Sequence, residues 1–146
     1  MSSVALSNLL LIDGALRSDA IRDVYRRPEV LAVRSLYLGT RFRELHTLGP
    51  ILISLADSSP LISETWNRNV HRPDASLLYS SESVDVVARH LQRFIAPQDV
   101  RSDDEVILRF ADPLTTIHWL GSYQSAQLDA VLGPIESWHV PEHFHT

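Results

Sequence analysis

The chain reads as an α/β protein, a single domain (1–146) with a mixed, mostly parallel sheet of about five or six strands flanked by helices. Three observations predict this. The short runs LLLID, ILISL and VIL are apolar throughout, as strands covered on both faces are. Segments with apolar residues at helical spacing alternate with those runs. The length of 146 residues, 45% of them hydrophobic, suits one core, since a domain of about 150 residues buries roughly 70% of its unfolded surface.

LLLID (9–13) ends at Asp-Gly, a strand closed by a turn. Leu16, Ile21, Val24 and Tyr25 then recur at helical spacing, Asp23 and Arg27 lie at i,i+4, and Pro28 ends the helix. RSLYL (34–38) reads as a second strand closed by Gly39, and a loop with Phe42 and Leu45 runs to Gly49-Pro50. ILISL (51–55) is a third strand. Asp57, Ser58 and Ser59 are candidate caps before Pro60, which opens the helix LISETWNRNV. After the turn at Pro73-Asp74, SLLYS (76–80) is a fourth strand. Val84, Val87, Ala88, Leu91 and Phe94 or Ile95 mark one face of the clearest helix, which starts at Ser81 or Ser83 and is closed by Pro97. The loop QDVRSDD leads to EVILRF, a fifth strand. Asp112-Pro113 opens a helix through Tyr123, SAQLDAVLG gives a short helix ended by Gly133, and IESWHV (135–140) is a last strand.

There is no cysteine, which excludes disulfides, cysteine zinc fingers, Fe–S clusters and thiol nucleophiles. All 13 basic residues are arginine and the net charge is −5. Through Pro73 there are 9 Arg against 7 acids; after it, 4 against 11. Nucleic-acid binding needs a cationic face, and beyond a local pair at Arg41 and Arg43 the overall charge opposes it. Both halves suit a protein partner instead. The short apolar run near the N-terminus has no basic residue before it and is cut by Asp13, unlike a secretory signal. No stretch approaches the roughly 20 apolar residues of a membrane helix. These features point to a cytoplasmic protein that uses neither membrane nor nucleic acid.

Asp112 follows a strand, where α/β enzymes often place a carboxylate. His118, six residues on, is poorly spaced to share its helix face, so Asp112 as N-cap with Pro113 at the first helical position is the simpler reading. An enzyme using Asp112 with His118 or His90 is the rival. Arg109 lies in an apolar run and needs a partner, Asp112 or Asp13, or else contacts a ligand or protein. His139, His143 and His145 with Glu142 offer metal donors, but Pro141 interrupts their spacing. Neither a nucleophile elbow nor a phosphate-binding glycine loop occurs. Trp66, Trp119, Trp138 and Tyr123 are core or interface aromatics, with Trp119 and Tyr123 on one helix face. β-addition to an edge strand is one route to a partner, and the sequence does not select the strand.

Taken in order, LLLIDGAL, LYLGTRFREL, LGPILISL, ARHLQRF, LRFADP and LGPIESW resemble the effector adaptor-chaperones of bacterial type VI secretion (Tap/TEC type), formerly a numbered domain of unknown function. Each piece is weak alone, but together they cover nearly the whole chain. Asp13, Gly14, Gly39, Thr40, Gly49, Pro50, His90, Leu91, Arg109, Phe110, Asp112, Pro113, Gly133 and Pro134 match the family pattern. Ala111 and Leu114 depart from it, standing where the family usually has an aromatic residue and an arginine. The resemblance implies a non-enzymatic protein without cofactor or bound metal. It would bind a secreted effector and help load it onto the VgrG spike. It also implies a minimal form of the family, with the common domain alone. Most matching residues have structural reasons, while Arg109, Trp119 and Tyr123 are the expected partner contacts.

Overall fold

The computed structural model describes residues 7–40, 42–56, 60–66, 73–95 and 108–141. The strands are β1 (Ser7–Asp13), β2 (Val30–Ser35), β3 (Pro50–Leu55), β4 (Ala75–Ser80) and β5 (Ser137–His139). The helices are α1 (Ala20–Tyr25), α2 (Pro60–Trp66), α3 (Val84–Gln92), α4 (Pro113–Gly121) and α5 (Ser125–Leu132), with a 3-10 turn at Arg43–Leu45. The strands form one sheet in the order β2-β3-β1-β4-β5, and every neighbouring pair is antiparallel.

The expected mostly parallel sheet is therefore wrong, for a definable reason. β1 and β2 both run against β3, so they point the same way; β3 and β4 both run against β1 and also share a direction. Helix-linked strands are thus co-directional, as the alternation predicts. But each crossover skips a slot, and an oppositely directed strand fills it. The first four strands with α1 and α2 make the split β-α-β-β-α-β arrangement. A sequence pattern reports the crossover, not the strand that enters between its ends.

Burial on both faces of the sheet holds for two of the three apolar runs, LLLID and ILISL. Leu9 and Leu11 enter one core with Leu52, Leu78, Val87, Leu91, Phe110 and Ile135. Leu10 and Ile12 enter the other, with Val24, Ile51, Ile53 and Leu61. α1 and α2 cover the second face; α3 and the C-terminal elements cover the first. Continuous apolar runs report two covered faces, whichever way the strands point. The interleaved cores also hold the register, because a one-residue slip would exchange Leu9 with Leu10 between faces.

Local signals place the helices well. Ser83 caps α3, its hydroxyl accepting from Val86 N at 3.3 Å, and Val87, Ala88, Leu91 and Ile95 are buried as the spacing predicts. Asp23 and Arg27 pair at 3.5 Å across i,i+4. Tyr25, expected on the core face of α1, is 70% exposed, because Ala20 and Val24 form the buried stripe and Tyr25 lies one position past it. The second strand ends at Ser35 and not at Leu38; Leu36 and Tyr37 are buried in the turn beyond it. In EVILRF, Leu108, Arg109 and Phe110 belong to no strand, and Asp112 N turns back onto Arg109 O at 3.0 Å. The last strand keeps only Ser137–His139 of IESWHV. Asp57 to Ser59, Arg41, the Trp66 side chain, the expected helix end Asn67 to Val70, Pro97, the loop 98–104, Glu105 to Ile107 of the expected fifth strand and the C-terminal Glu142, His143 and His145 lie outside the described residues.

Candidate functional site

The residues that carry the family pattern gather mainly where β1 ends and β3 begins, Asp13 standing opposite Pro50. Asp13 Oδ1 accepts from Ala15 N at 2.8 Å and Leu16 N at 3.2 Å, which closes the turn after β1. Its Oδ2 accepts from Arg109 Nη2 at 2.8 Å. Arg109 thus pairs with Asp13, one of its two expected partners. The pair is lopsided: the Asp13 side chain is 4% exposed, that of Arg109 42%. A buried carboxylate is held by one open-sided guanidinium and two backbone amides. Beside it, Arg17 grips Asp74 in a buried two-pronged pair, Nε to Oδ2 at 3.0 Å and Nη2 to Oδ1 at 2.6 Å.

The glycines allow these segments to touch. Gly14 N donates to Gly49 O at 2.9 Å, and a Cβ at Gly14 would press into the carbonyl oxygens of Thr47 and Gly49. A Cβ at Gly49 would enter the Tyr37 ring. Gly39 turns the chain with φ +82°, and Thr40 closes that turn through Oγ1 donating to Tyr37 O at 2.6 Å. Burial, and then the Asp13 charge, push the Tyr37 phenol above its usual range, with Arg109 opposing. The cavity among Asp13, Tyr37, Gly49, Pro50, Arg109 and Ala111 is about 10 Å3, room for no more than about one water. It is a packed joint and not a substrate pocket.

Asp112 is buried, and its Oδ1 accepts from Leu114 N at 3.1 Å with Pro113 at the first position of α4. That is the N-cap reading. Thr116 closes the same turn, its hydroxyl donating to Phe110 O at 2.6 Å. His118 is exposed and lines a different concavity, so the structure does not bring it to the Asp112 carboxylate. Ala111, a departure from the family pattern, is buried in the first core; Leu114, the other departure, is half-buried at the rim of a groove.

A second group joins α3 to the segment after α5. His90 Nε2 donates to Val131 O at 2.6 Å, while Leu91 is fully buried. Gly133 has φ +54°, and a Cβ there would strike the His90 ring at 2.5 Å. Ser80 Oγ donates to Pro134 O at 2.6 Å. Over this joint lies an open groove of about 680 Å3 whose charged lining, Glu82, Arg89, Arg93 and Glu136, mixes both signs.

Trp119 sits half-buried at the hub of an aromatic cluster, 5.0 Å from Phe94 and 6.1 Å from both Phe110 and Trp138. Its Nε1 donates to the Tyr123 hydroxyl at 3.2 Å, so the two residues do share a face. Trp119 also walls an apolar groove of about 440 Å3 with Leu108, Leu114, Thr115 and His118. His139 stands edge-on to Tyr79. Among the described residues no three His, Asp or Glu side chains gather to hold a metal, and no helix is long and apolar enough to cross a membrane.

Sequence reading did not find the Arg17–Asp74 pair, the position of Tyr37 or the exposed side of β2. Arg17 and Asp74 lie 57 residues apart, and no local spacing joins them.

The sequence profile of the family described as "Domain of unknown function (DUF4123)" matches residues 9–130. That family is known as the type VI secretion effector adaptor domain. No curated protein and no solved structure matches the chain.

Proposed function

The chain belongs to the DUF4123 family, and on that premise we propose that it is a non-catalytic adaptor that binds one type VI secretion effector and helps load it onto the VgrG spike. The family match over residues 9–130 carries this reading. The local chemistry supports it: Asp112, the carboxylate of the rival enzyme reading, is engaged in capping α4. The proposed partners are the effector in the cytoplasm before secretion and then the spike, with neither nucleic acid nor membrane involved. Arg109, Trp119 and Tyr123 remain proposed partner contacts, Arg109 because its side chain stays 42% exposed beside Asp13.

Co-expression with the effector encoded beside this chain, followed by size-exclusion chromatography, tests the reading. The expected result is co-elution near 1:1, with an interface above about 1,000 Å2 in total. Separate elution at micromolar concentration overturns it. Adding the spike protein to the complex then tests loading, which predicts a larger assembly that neither component forms alone.

A further inference from the structure

We propose that Arg109 receives a carboxylate of the effector, on a segment that seats an apolar side chain against the exposed Leu48 beside it. This rests on the adaptor reading and adds to it the chemistry of one contact.

The arginines that pair with acids differ in how much of the guanidinium is used. Arg17 bonds both oxygens of Asp74 and is buried. Arg27 spreads over Asp23, Glu29 and Glu64. Arg34 holds Asp85 through Nε and Nη2 and gives Nη1 to Val33 O. Arg109 makes a single bond, from Nη2 to Asp13 Oδ2 at 2.8 Å; among the described residues its Nε and Nη1 donate to nothing. Its side chain is 42% exposed, that of Asp13 only 4%. A guanidinium carries its N–H donors in a planar fork that matches a carboxylate, so this contact leaves part of the fork over. The same bond fixes the side chain. Asp13 Oδ1 accepts from Ala15 N and Leu16 N, so the carboxylate that holds Arg109 is itself held by the turn after β1. At its other end, Arg109 O accepts from Asp112 N at 3.0 Å, and the adjoining Phe110 is fully buried. A partner that meets Arg109 need not order it first, which favours binding over contact with a free surface arginine.

The neighbours of Arg109 set the rest of the chemistry. Leu48, 47% exposed, lines the same small cavity as Arg109, with Tyr37 and Pro50. Leu45, also exposed, precedes it by one turn, Leu48 N donating to Leu45 O at 2.9 Å. The joint itself is neutral, Asp13 and Asp74 balancing Arg109 and Arg17. The attraction it offers is therefore short-ranged and directional. Unused N–H donors next to apolar surface fit one carboxylate with an apolar neighbour, and not a strongly acidic tract.

The test measures the affinity of full-length variants for the effector encoded beside this chain, with a thermal melt of each. Leu48→Glu, at an exposed side chain, is expected to melt like the unmodified chain and to bind about tenfold or more weakly, since it sets a like charge against the incoming carboxylate. Leu48→Arg is expected to bind within about threefold of the unmodified chain, its stem covering apolar surface and its charge favourable. Arg109→Lys keeps a charge for Asp13 but loses the fork, and is expected to weaken binding about tenfold. Arg93→Glu in the α3–α5 groove is expected to bind like the unmodified chain. Equal weakening by Leu48→Glu and Leu48→Arg overturns the carboxylate. Unchanged binding by Leu48→Glu overturns the contact, whether or not Arg109→Lys folds. In both cases the adaptor reading stands. If the unmodified chain binds no effector, the adaptor reading fails and takes this contact with it.

Discussion

Where β1 ends, and along the outer side of β2, the chain handles polar groups in opposite ways. At the first, Asp13 is satisfied by two amides and a guanidinium, Arg17 and Asp74 grip each other out of water, and glycines bring backbones into contact. At the second, the backbone groups of Val33 and Ser35 turn outward, Leu31 is two-thirds exposed, and Arg27 spreads over Asp23, Glu29 and Glu64 in a half-open cluster. The family pattern is dense at the first and nearly absent from the second: Asp13, Gly14, Gly49, Pro50 and Arg109 belong to the joint, and no residue of β2 was matched. A motif of this kind records what the fold requires.

That contrast can be broken most sharply at the buried pair. Asp74→Ala leaves the Arg17 charge buried without its carboxylate and is expected to destabilise the fold by about 3–5 kcal/mol in urea unfolding. Gly14→Ala, which pushes a methyl group against two carbonyls, is expected to cost about 1–3 kcal/mol. A neutral result would mean that the two turns can separate freely. Asp112→Ala removes the α4 cap and is expected to cost about 1 kcal/mol, whereas Asp112→Asn, which keeps the acceptor, costs less. Equal losses in thermal melts would argue that the charge and not the cap matters. Leu31→Glu, at a side chain two-thirds exposed, should change stability by no more than about 0.5 kcal/mol, far less than Asp74→Ala.

The joint also has a pH signature that the edge lacks. Burial and the Asp13 charge raise the Tyr37 phenol in the folded state, so the fold favours its neutral form. That contribution is whole below the ordinary tyrosine value of about 10 and is lost as pH rises through the folded value. Tyr37→Phe should flatten the alkaline decline in stability; an unchanged decline would assign it to another group.

What the sequence by itself determined is what short-range physics controls. The Asp112 cap and Pro113 start α4, the spacing of Val87, Ala88 and Leu91 marks the inner face of α3, and the apolar run Leu9 to Ile12 announces a strand covered on both sides. Each depends on neighbours a few residues away. The tertiary structure alone decided the rest. Alternating strands and helices suggested parallel neighbours, but β3 and β1 filled the skipped slots and made every pair antiparallel. Arg109 found its carboxylate 96 residues back, at Asp13. Tyr25 and Leu31 look like core residues in one dimension and are exposed, Tyr25 because it lies past the buried stripe of α1 and Leu31 because, among the described residues, β2 is an outer strand of the sheet. Whether an apolar residue is core or contact depends on which element occupies the adjacent slot, and chain order leaves that slot open.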